Sequence, residues 1–258
     1  MRKGFIKSGR VAAVAGLLAV MAGCVQTGDV QPMRTGEGRE QAKQAYIQLG
    51  KGYLQEGLTS QAKAPLQSAL ELDPSDPEAH EVMALVFQQE MEPALADKHF
   101  RKALAGQRSA RILNNYGSFL FEEGAYEKAM DIYKEAAEDS MYPRRARVFE
   151  NMGLTALKLD DKTSAGHYFQ RALRLDSSQR RSLLEMATLS YEARDYTGAR
   201  QYYESYMQQS GHDARTLLLG ARIASVFQMR DEAASLGLRL KQLYPASPEY
   251  KAYLMEQR

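Results

Sequence analysis

Few residues in this chain have a type and spacing that could do chemistry. The four histidines, His80, His99, His167 and His212, include no two that stand four residues apart, and the sequence has no HExxH pair. A zinc site would need such a pattern, so none is indicated. The sequence also lacks a GxxxxGK[ST] phosphate loop, and His212 with Asp213 fits a turn better than a catalytic pair. These absences favour a protein that is not an enzyme and has no metal or small-molecule substrate.

One reactive thiol remains, because Cys24 is the single cysteine of 258 residues. A basic start, MRKGFIKSGR, precedes the apolar run VAAVAGLLAVMAG, whose 13 residues are too few to span a bilayer comfortably as a helix. This pattern predicts a secretory signal peptide over residues 1–23. Residues 21–24, Met-Ala-Gly-Cys, resemble a bacterial lipobox, although Met stands where Leu is most usual.

The lipobox resemblance implies that Cys24 is lipidated. In lipoproteins with this box, the thiol receives a diacylglycerol, the chain is cut before the cysteine, and the new amine is acylated. We therefore expect no cofactor other than these covalent lipids, and several acyl chains give stable anchoring. Val25, where an Asp would signal retention, favours the periplasmic face of the bacterial outer membrane. An ordinary secretory signal with a chance cysteine is the alternative.

The charge distribution argues against a nucleic-acid partner. The whole chain has 34 basic and 32 acidic residues, but Arg2, Lys3, Lys7 and Arg10 all lie in the signal peptide, which holds no acid. Removal of the signal peptide leaves 30 basic residues against 32 acidic ones, so the net charge changes from +2 to −2. The sequence pI of 8.5 therefore reflects the signal peptide. Residues 24–42 are expected to form a flexible tether after the lipidated cysteine.

From residue 43 onward the chain repeats with a period of about 34 residues, which is the tetratricopeptide period. One column of small residues shows it: Gly50, Ala84, Gly117, Gly153, Ala187 and Ala221. The period predicts an all-α, right-handed superhelix of six helix-turn-helix repeats. The predicted units are 43–76, 77–109, 110–143, 146–179, 180–213 and 214–247, with a two-residue insertion near Arg144 and a capping helix over 248–258.

Each repeated residue type has a packing reason. Small residues at the eighth and twentieth positions allow the two helices of a repeat to approach closely, and the aromatic residue at the twenty-fourth fills the gap. The second, fifth and sixth repeats match this pattern less well. Met91 and Arg194 replace the glycine of the turn, and Gly237 stands where the aromatic residue belongs.

A tetratricopeptide superhelix usually binds its partner along the concave face, at positions 2, 5, 9 and 12 of each first helix. Position 2 is arginine in four successive repeats: Arg111, Arg147, Arg181 and Arg215. With the neighbouring Asn114, Asn115, Ser118 and Asn151, this row suits carboxylates or a peptide backbone. The alternative is a solvated face whose arginines form salt bridges with Glu150, Glu185 or Glu192. The carboxylate clamp of chaperone-binding repeats, with Lys at position 5 and Asn at position 9, is absent.

A second candidate surface is apolar and lies in the first repeat. Ile47 and Leu54 occupy positions 5 and 12, and together with Leu85 they are expected to form a strip that accepts a partner strand or helix. Leu49, Gly50 and Tyr53 are expected to supply the core on the same helix. The alternative is that the strip itself is core, because apolar residues at helical spacing usually are.

Three stretches of the chain resemble the type IV pilus pilotins of the PilF/PilW group. They are LNNYGSFLFEEGAYEKAMDIYKEAAEDSMYP (113–143), FENMGLTALKLDDKTSAGHYFQRAL (149–173) and LLLGARIA (217–224). Some members carry two cysteines, and Phe121 and Thr155 stand at what look like those places, so a disulfide is not expected. The resemblance implies an outer-membrane lipoprotein that binds the pilus secretin and promotes its localisation and multimerisation. A scaffold for another envelope assembly and a regulator of a cell-wall enzyme are the alternatives.

Overall fold

The computed structural model describes residues 35–209 and 211–256, which form thirteen α-helices. Their bounds are α1 (Gly36–Gln55), α2 (Thr59–Leu72), α3 (Pro77–Gln89), α4 (Pro93–Gly106), α5 (Ala110–Glu122), α6 (Tyr126–Glu138), α7 (Arg145–Lys158), α8 (Lys162–Leu175), α9 (Arg180–Glu192), α10 (Tyr196–Met207), α11 (Ala214–Val226), α12 (Arg230–Leu243) and α13 (Pro248–Glu256). The signal peptide, Cys24 and the first part of the tether lie outside the described residues.

The helices pair in chain order, so that each odd-numbered helix from α1 to α11 is the first helix of a repeat and the next one is the second. Within the described residues there is no strand. The predicted all-α fold of helix-turn-helix repeats is therefore confirmed. This arrangement places the first helices of successive repeats side by side.

The expected flexible tether is wrong for residues 36–42, which already belong to α1. Thr35 caps this helix, because its Oγ1 accepts a hydrogen bond of 2.9 Å from the backbone N–H of Gly38. Glu37 in the first turn also stabilises the helix, because its negative charge lies near the positive end of the helix dipole. These start signals outweigh the two glycines that suggested a loop.

The packing rule of the repeats is visible where glycine meets an aromatic ring. A Cβ atom built on Gly117 would lie 2.6 Å from Cε1 of Tyr133, and one on Gly153 would lie 2.5 Å from Cε1 of Phe169. Both rings are buried. The predicted role of the small residues at position 8 is therefore confirmed in these two repeats.

All six turns inside the repeats use one residue in the left-handed backbone region. These residues are Gly57, Met91, Gly124, Asp160, Arg194 and Gln228. Met91 and Arg194 adopt φ values of 58° and 63° without the freedom of glycine. The turn geometry is thus maintained by the packing of the flanking helices at some conformational cost.

The irregular sixth repeat is completed by α13. A Cβ atom on Gly237 would lie 2.1 Å from Cζ of Tyr253, so the glycine makes room for an aromatic ring from the last helix. Tyr250 and Tyr253 pack against a buried cluster that includes Leu217 and Leu240. The aromatic residue missing from α12 is therefore supplied by the next helix along the chain.

Residues 35–209 and 211–256 contain neither a membrane-spanning helix nor a cluster of metal-binding side chains. No helix there is long and apolar enough to cross a membrane. No group of three or more histidine, cysteine, aspartate or glutamate side chains there is arranged to hold a metal ion.

Candidate functional site

A polar groove with a volume of about 970 Å³ lies along the first helices of the third, fourth and fifth repeats. Its polar lining side chains include Asn114, Asn115, Ser118, Tyr142, Arg144, Arg147, Asn151, Gln179 and Arg181. Helix α5 supplies the first three, α7 supplies Arg147 and Asn151, and α9 supplies Arg181. The stacking of first helices therefore brings residues from three repeats to one surface.

Six of the residues expected to bind a partner line this groove together. They are Asn114, Asn115, Ser118, Arg147, Asn151 and Arg181. Arg111 and Arg215 do not line it, nor do the apolar residues of the first strip. The binding role of the six stays a prediction, while the geometry defines one surface on which to test it.

Hydrogen bonds hold the amides on the floor of the groove. Asn114 is buried, and its Oδ1 accepts a hydrogen bond of 3.2 Å from Nδ2 of Asn151. Ser118 donates its hydroxyl to the backbone carbonyl of Asn114 and accepts a hydrogen bond of 3.1 Å from the hydroxyl of Tyr133. Burial raises the pKa of Tyr133 to about 12, so this phenol remains a donor. The floor is thus preorganised before any ligand binds.

The two outer arginines of the row are neutralised by glutamates of the preceding repeat. Arg111 forms an ion pair with the fully buried Glu81, which also accepts a hydrogen bond of 2.7 Å from Nδ2 of Asn115. Burial raises the pKa of Glu81, and the charge of Arg111 opposes this shift. Arg215 donates two hydrogen bonds of 2.8 Å to Glu185, and this contact raises the pKa of the guanidinium. The salt-bridge alternative is therefore correct for Arg215 with Glu185, whereas Arg111 pairs with Glu81, a glutamate that this alternative did not name.

The two central arginines, Arg147 and Arg181, are exposed. Among the residues that the structure describes, neither guanidinium group forms a hydrogen bond or an ion pair. Glu150, which the salt-bridge alternative named as a partner, instead accepts hydrogen bonds of 3.1 Å and 2.9 Å from the backbone N–H and hydroxyl of Ser182. Two cations of the row are thus left facing the groove.

The amides of the groove explain why these two arginines lack an acid. Glu185 lies 30 residues before Arg215, and the residue 30 positions before Arg181 is Asn151. In the third repeat, Asn114 and Asn115 take the positions that Glu81 and Glu185 occupy in theirs. An amide can accept a hydrogen bond but cannot neutralise a guanidinium. The groove therefore keeps a positive charge.

Sequence reasoning missed the contribution of the segment between the third and fourth repeats. Arg144, Arg145 and Tyr142 from this segment also line the groove. Arg145 is fixed in place, because its Nε donates a hydrogen bond of 2.8 Å to the carbonyl of Ala137 and its guanidinium lies 5.4 Å from the ring centre of Phe149. The two-residue insertion near Arg144 was the signal in the sequence that could have revealed them.

The apolar strip of the first repeat is not the open surface that was expected. Ile47 is fully buried and packs in a cluster with Leu66 of α2 and Val82 of α3. Leu54 is half-buried against the same cluster, and Leu85 is half-buried against the central core. The predicted exposure of Ile47 is wrong, and the core alternative holds for it.

The physical reason is that the side chain at position 5 is buried in every repeat. The six residues of this column, Ile47, Glu81, Asn114, Glu150, Leu184 and Leu218, are all buried. The complementary expectation, that Leu49 belongs to the core, is also wrong, because Leu49 is 48% exposed. At the same position, Tyr116 contacts Phe100 and Asp97 of the preceding repeat, and no predicted repeat precedes Leu49.

Comparison with protein families supports the repeat assignment. Tetratricopeptide repeat models match residues 43–76, 81–143 and 151–214. The type IV pilus assembly protein PilF of Pseudomonas aeruginosa is 54% identical over 247 residues, which cover 95% of this chain and 98% of that protein. This chain belongs to the PilF family of tetratricopeptide proteins. The predicted family is therefore confirmed, and the protein takes part in type IV pilus biogenesis.

Solved structures of the PilF family agree with this assignment. A structure of Pseudomonas aeruginosa PilF is 55% identical, has a TM-score of 0.82 and covers 85% of this chain and 99% of its own. PilW, described as a widely conserved type IV pilus biogenesis factor, is 28% identical with a TM-score of 0.71, and the match covers 83% of this chain and 99% of PilW. PilF-like tetratricopeptide proteins are typically scaffolds that bind protein partners.

Proposed function

We propose that the protein is a pilotin: an outer-membrane lipoprotein that binds the type IV pilus secretin and promotes its localisation and multimerisation. The observation that carries this proposal is the match to PilF along almost the whole chain, in a sequence whose one cysteine completes a lipobox. The lipid on Cys24 supplies the membrane address. The stacked repeats supply the surface that holds the partner.

The proposed mechanism is non-covalent. A preorganised groove of amides and unpaired arginines can hold a protein segment without breaking bonds, and the superhelix keeps that groove rigid. Lipidation would hold the secretin subunit close to the bilayer that it must enter. Local concentration at the membrane would then favour assembly of the multimer.

The anchor is tested by the variant Cys24→Ala in a strain without the native gene. We expect the variant to lose labelling by a palmitate analogue and to leave the outer-membrane fraction. SDS-resistant secretin multimers should fall, or should appear in the inner membrane, on an immunoblot. The amount of variant protein serves as the control for folding and export.

The secretin partner is tested separately by affinity capture of the lipidated protein from envelope extract. Recovery of the secretin as the SDS-resistant partner would support the pilotin assignment. Normal secretin multimers in a strain that lacks the protein, or label retained on Cys24→Ala, would refute it. Capture of a different envelope assembly would favour the general scaffold.

A further inference from the structure

We infer that the groove across the third to fifth repeats binds an extended acidic peptide segment through Arg147 and Arg181. The inference specifies the chemistry of the partner and rests on the proposed scaffold function, but it does not depend on which protein supplies the segment. It comes from a contrast within one row of arginines. The outer two have buried glutamate partners, and the central two face a groove.

Charge in the groove favours an anion. Its lining includes four arginines against two carboxylates, Glu122 and Asp176. Both carboxylates already accept hydrogen bonds: Glu122 accepts one of 2.6 Å from Gln88, and Asp176 accepts them from Ser178 and Gln179. The hydrogen bonds from Ser178 and Gln179 lower the pKa of Asp176. The four arginines still outnumber the two acids, and Arg147 and Arg181 form no ion pair with either acid, so they remain available to a ligand.

The shape and the polar floor favour a peptide over a small ion. Arg147 and Arg181 lie on adjacent first helices, and packed helices are about 8–10 Å apart. An extended peptide advances by about 3.3 Å per residue, so two acidic residues two to three positions apart match this spacing. The amides of Asn114, Asn115 and Asn151 line the same groove and can pair with N–H and C=O groups of the peptide.

The internal repeats also suggest a substitution that would neutralise Arg181 and so block the proposed site. Asn151 precedes Arg181 by the same 30 residues that separate Glu185 from Arg215. The variant Asn151→Glu should therefore give Arg181 the acidic partner that Arg215 already has. It adds charge to the groove without removing an arginine. Asn151→Gln is its neutral control.

The test uses the full lipoprotein in detergent micelles and two short fluorescein-labelled peptides. One carries two glutamates spaced by serine and glycine, and the other carries glutamines instead. Fluorescence anisotropy should show that the glutamine peptide binds at least about tenfold more weakly. Arg147→Gln with Arg181→Gln should weaken binding of the acidic peptide by about the same factor, and rising salt should weaken binding to the wild type.

Matched controls separate the groove from general charge effects. Asn151→Glu should reproduce the loss, whereas Asn151→Gln, which keeps an amide at this position, should bind the acidic peptide more tightly than Asn151→Glu does. The exposed pair Arg174→Gln with Arg230→Gln lies outside the groove and should bind like the wild type. Circular dichroism verifies that each variant is folded. Wild-type affinity that does not distinguish the two peptides would overturn the inference. The inference would also be overturned if the wild type bound anionic phospholipid vesicles but not the acidic peptide, and if the arginine variants lost this vesicle binding.

The result is independent of the pilotin test. Loss of peptide binding in Asn151→Glu with normal secretin multimers would confirm the acidic-peptide groove and show that it serves another partner. Absence of peptide binding in the wild type, with secretin capture retained, would refute the groove and leave the pilotin function standing.

Discussion

Arg215 and Glu185 are joined by two parallel hydrogen bonds of 2.8 Å across the boundary between the fifth and sixth repeats. Such bidentate contacts are among the stronger side-chain interactions in proteins. Glu185 is buried, so it relies on this partner to offset the loss of water. The equivalent Arg181, one repeat earlier, has an amide in place of the acid and is left open to a ligand.

This difference predicts different costs for two chemically identical changes. Arg215→Ala should lower the free energy of unfolding by about 1–2 kcal/mol, because it leaves a buried carboxylate without its cation. Arg181→Ala should change it by less than about 0.5 kcal/mol, because no pair is broken. Urea unfolding followed by circular dichroism measures both values. Equal losses in the two variants would contradict the assigned pairing.

A second prediction concerns the contact between the buried His80 and the half-buried His99. Their Nδ1 atoms lie 3.0 Å apart, and Nε2 of His80 donates to the carbonyl of Pro74 at 3.0 Å. Burial, followed by the charge of His80, lowers the pKa of His99 to about 4. Burial also lowers the pKa of His80.

The direction of the pH dependence of stability follows from the number of protons that each state binds. Between pH 6.5 and pH 4 the unfolded chain binds more protons at His99 than the folded protein does, so stability falls as the pH falls. Between pH 7 and pH 5, the titration of His99 should lower the free energy of unfolding by at most about 2 kcal/mol. Thermal unfolding across this range should show a shallower pH dependence in His99→Gln. The exposed His167 provides the control, because His167→Gln should keep the wild-type slope.

The fold was predictable because one local pattern recurs and each recurrence has the same physical cause. Gly117 and Tyr133 illustrate it: a small residue and an aromatic residue 16 positions later meet in the structure as the spacing predicts. The start of α1 was less predictable, since glycines on either side of Glu37 resemble a tether. There a single side-chain cap from Thr35 decided the outcome.

The groove was only partly predictable. The row of arginines can be read from the sequence, but four identical residues in one column have two different environments. Glu81 and Glu185 occupy neighbouring positions of their helices, and both reach an arginine of the next repeat. Which arginine is neutralised thus depends on contacts between repeats, which a periodic alignment of the chain does not include. For the same reason Ile47 was assigned to the groove, although it faces α3.

A third prediction uses the strained turn of the second repeat. Met91 has a φ of 58° and its side chain is 86% exposed, so it pays a backbone cost without adding to the core. Met91→Gly should therefore raise the free energy of unfolding by about 0.5–1 kcal/mol. Met141 is the matched control, because it is 84% exposed without a positive φ. Met141→Gly should be neutral or destabilising, and a gain in that variant would contradict the explanation.

The last prediction tests the close approach of the two helices of a repeat. A Cβ atom on Gly117 would meet three atoms of the Tyr133 ring at 2.6–3.0 Å, and that ring is buried and hydrogen-bonded to Ser118. Gly117→Ala should therefore force α5 and α6 apart and lower the free energy of unfolding by about 1–3 kcal/mol. Gly166 in α8 has no atom within 4 Å of its Cβ position, so Gly166→Ala should stabilise the helix by about 0.5–1 kcal/mol. Opposite signs for the two glycine-to-alanine changes in urea unfolding would establish that the first cost comes from packing; a gain in both would show that the ring moves aside freely.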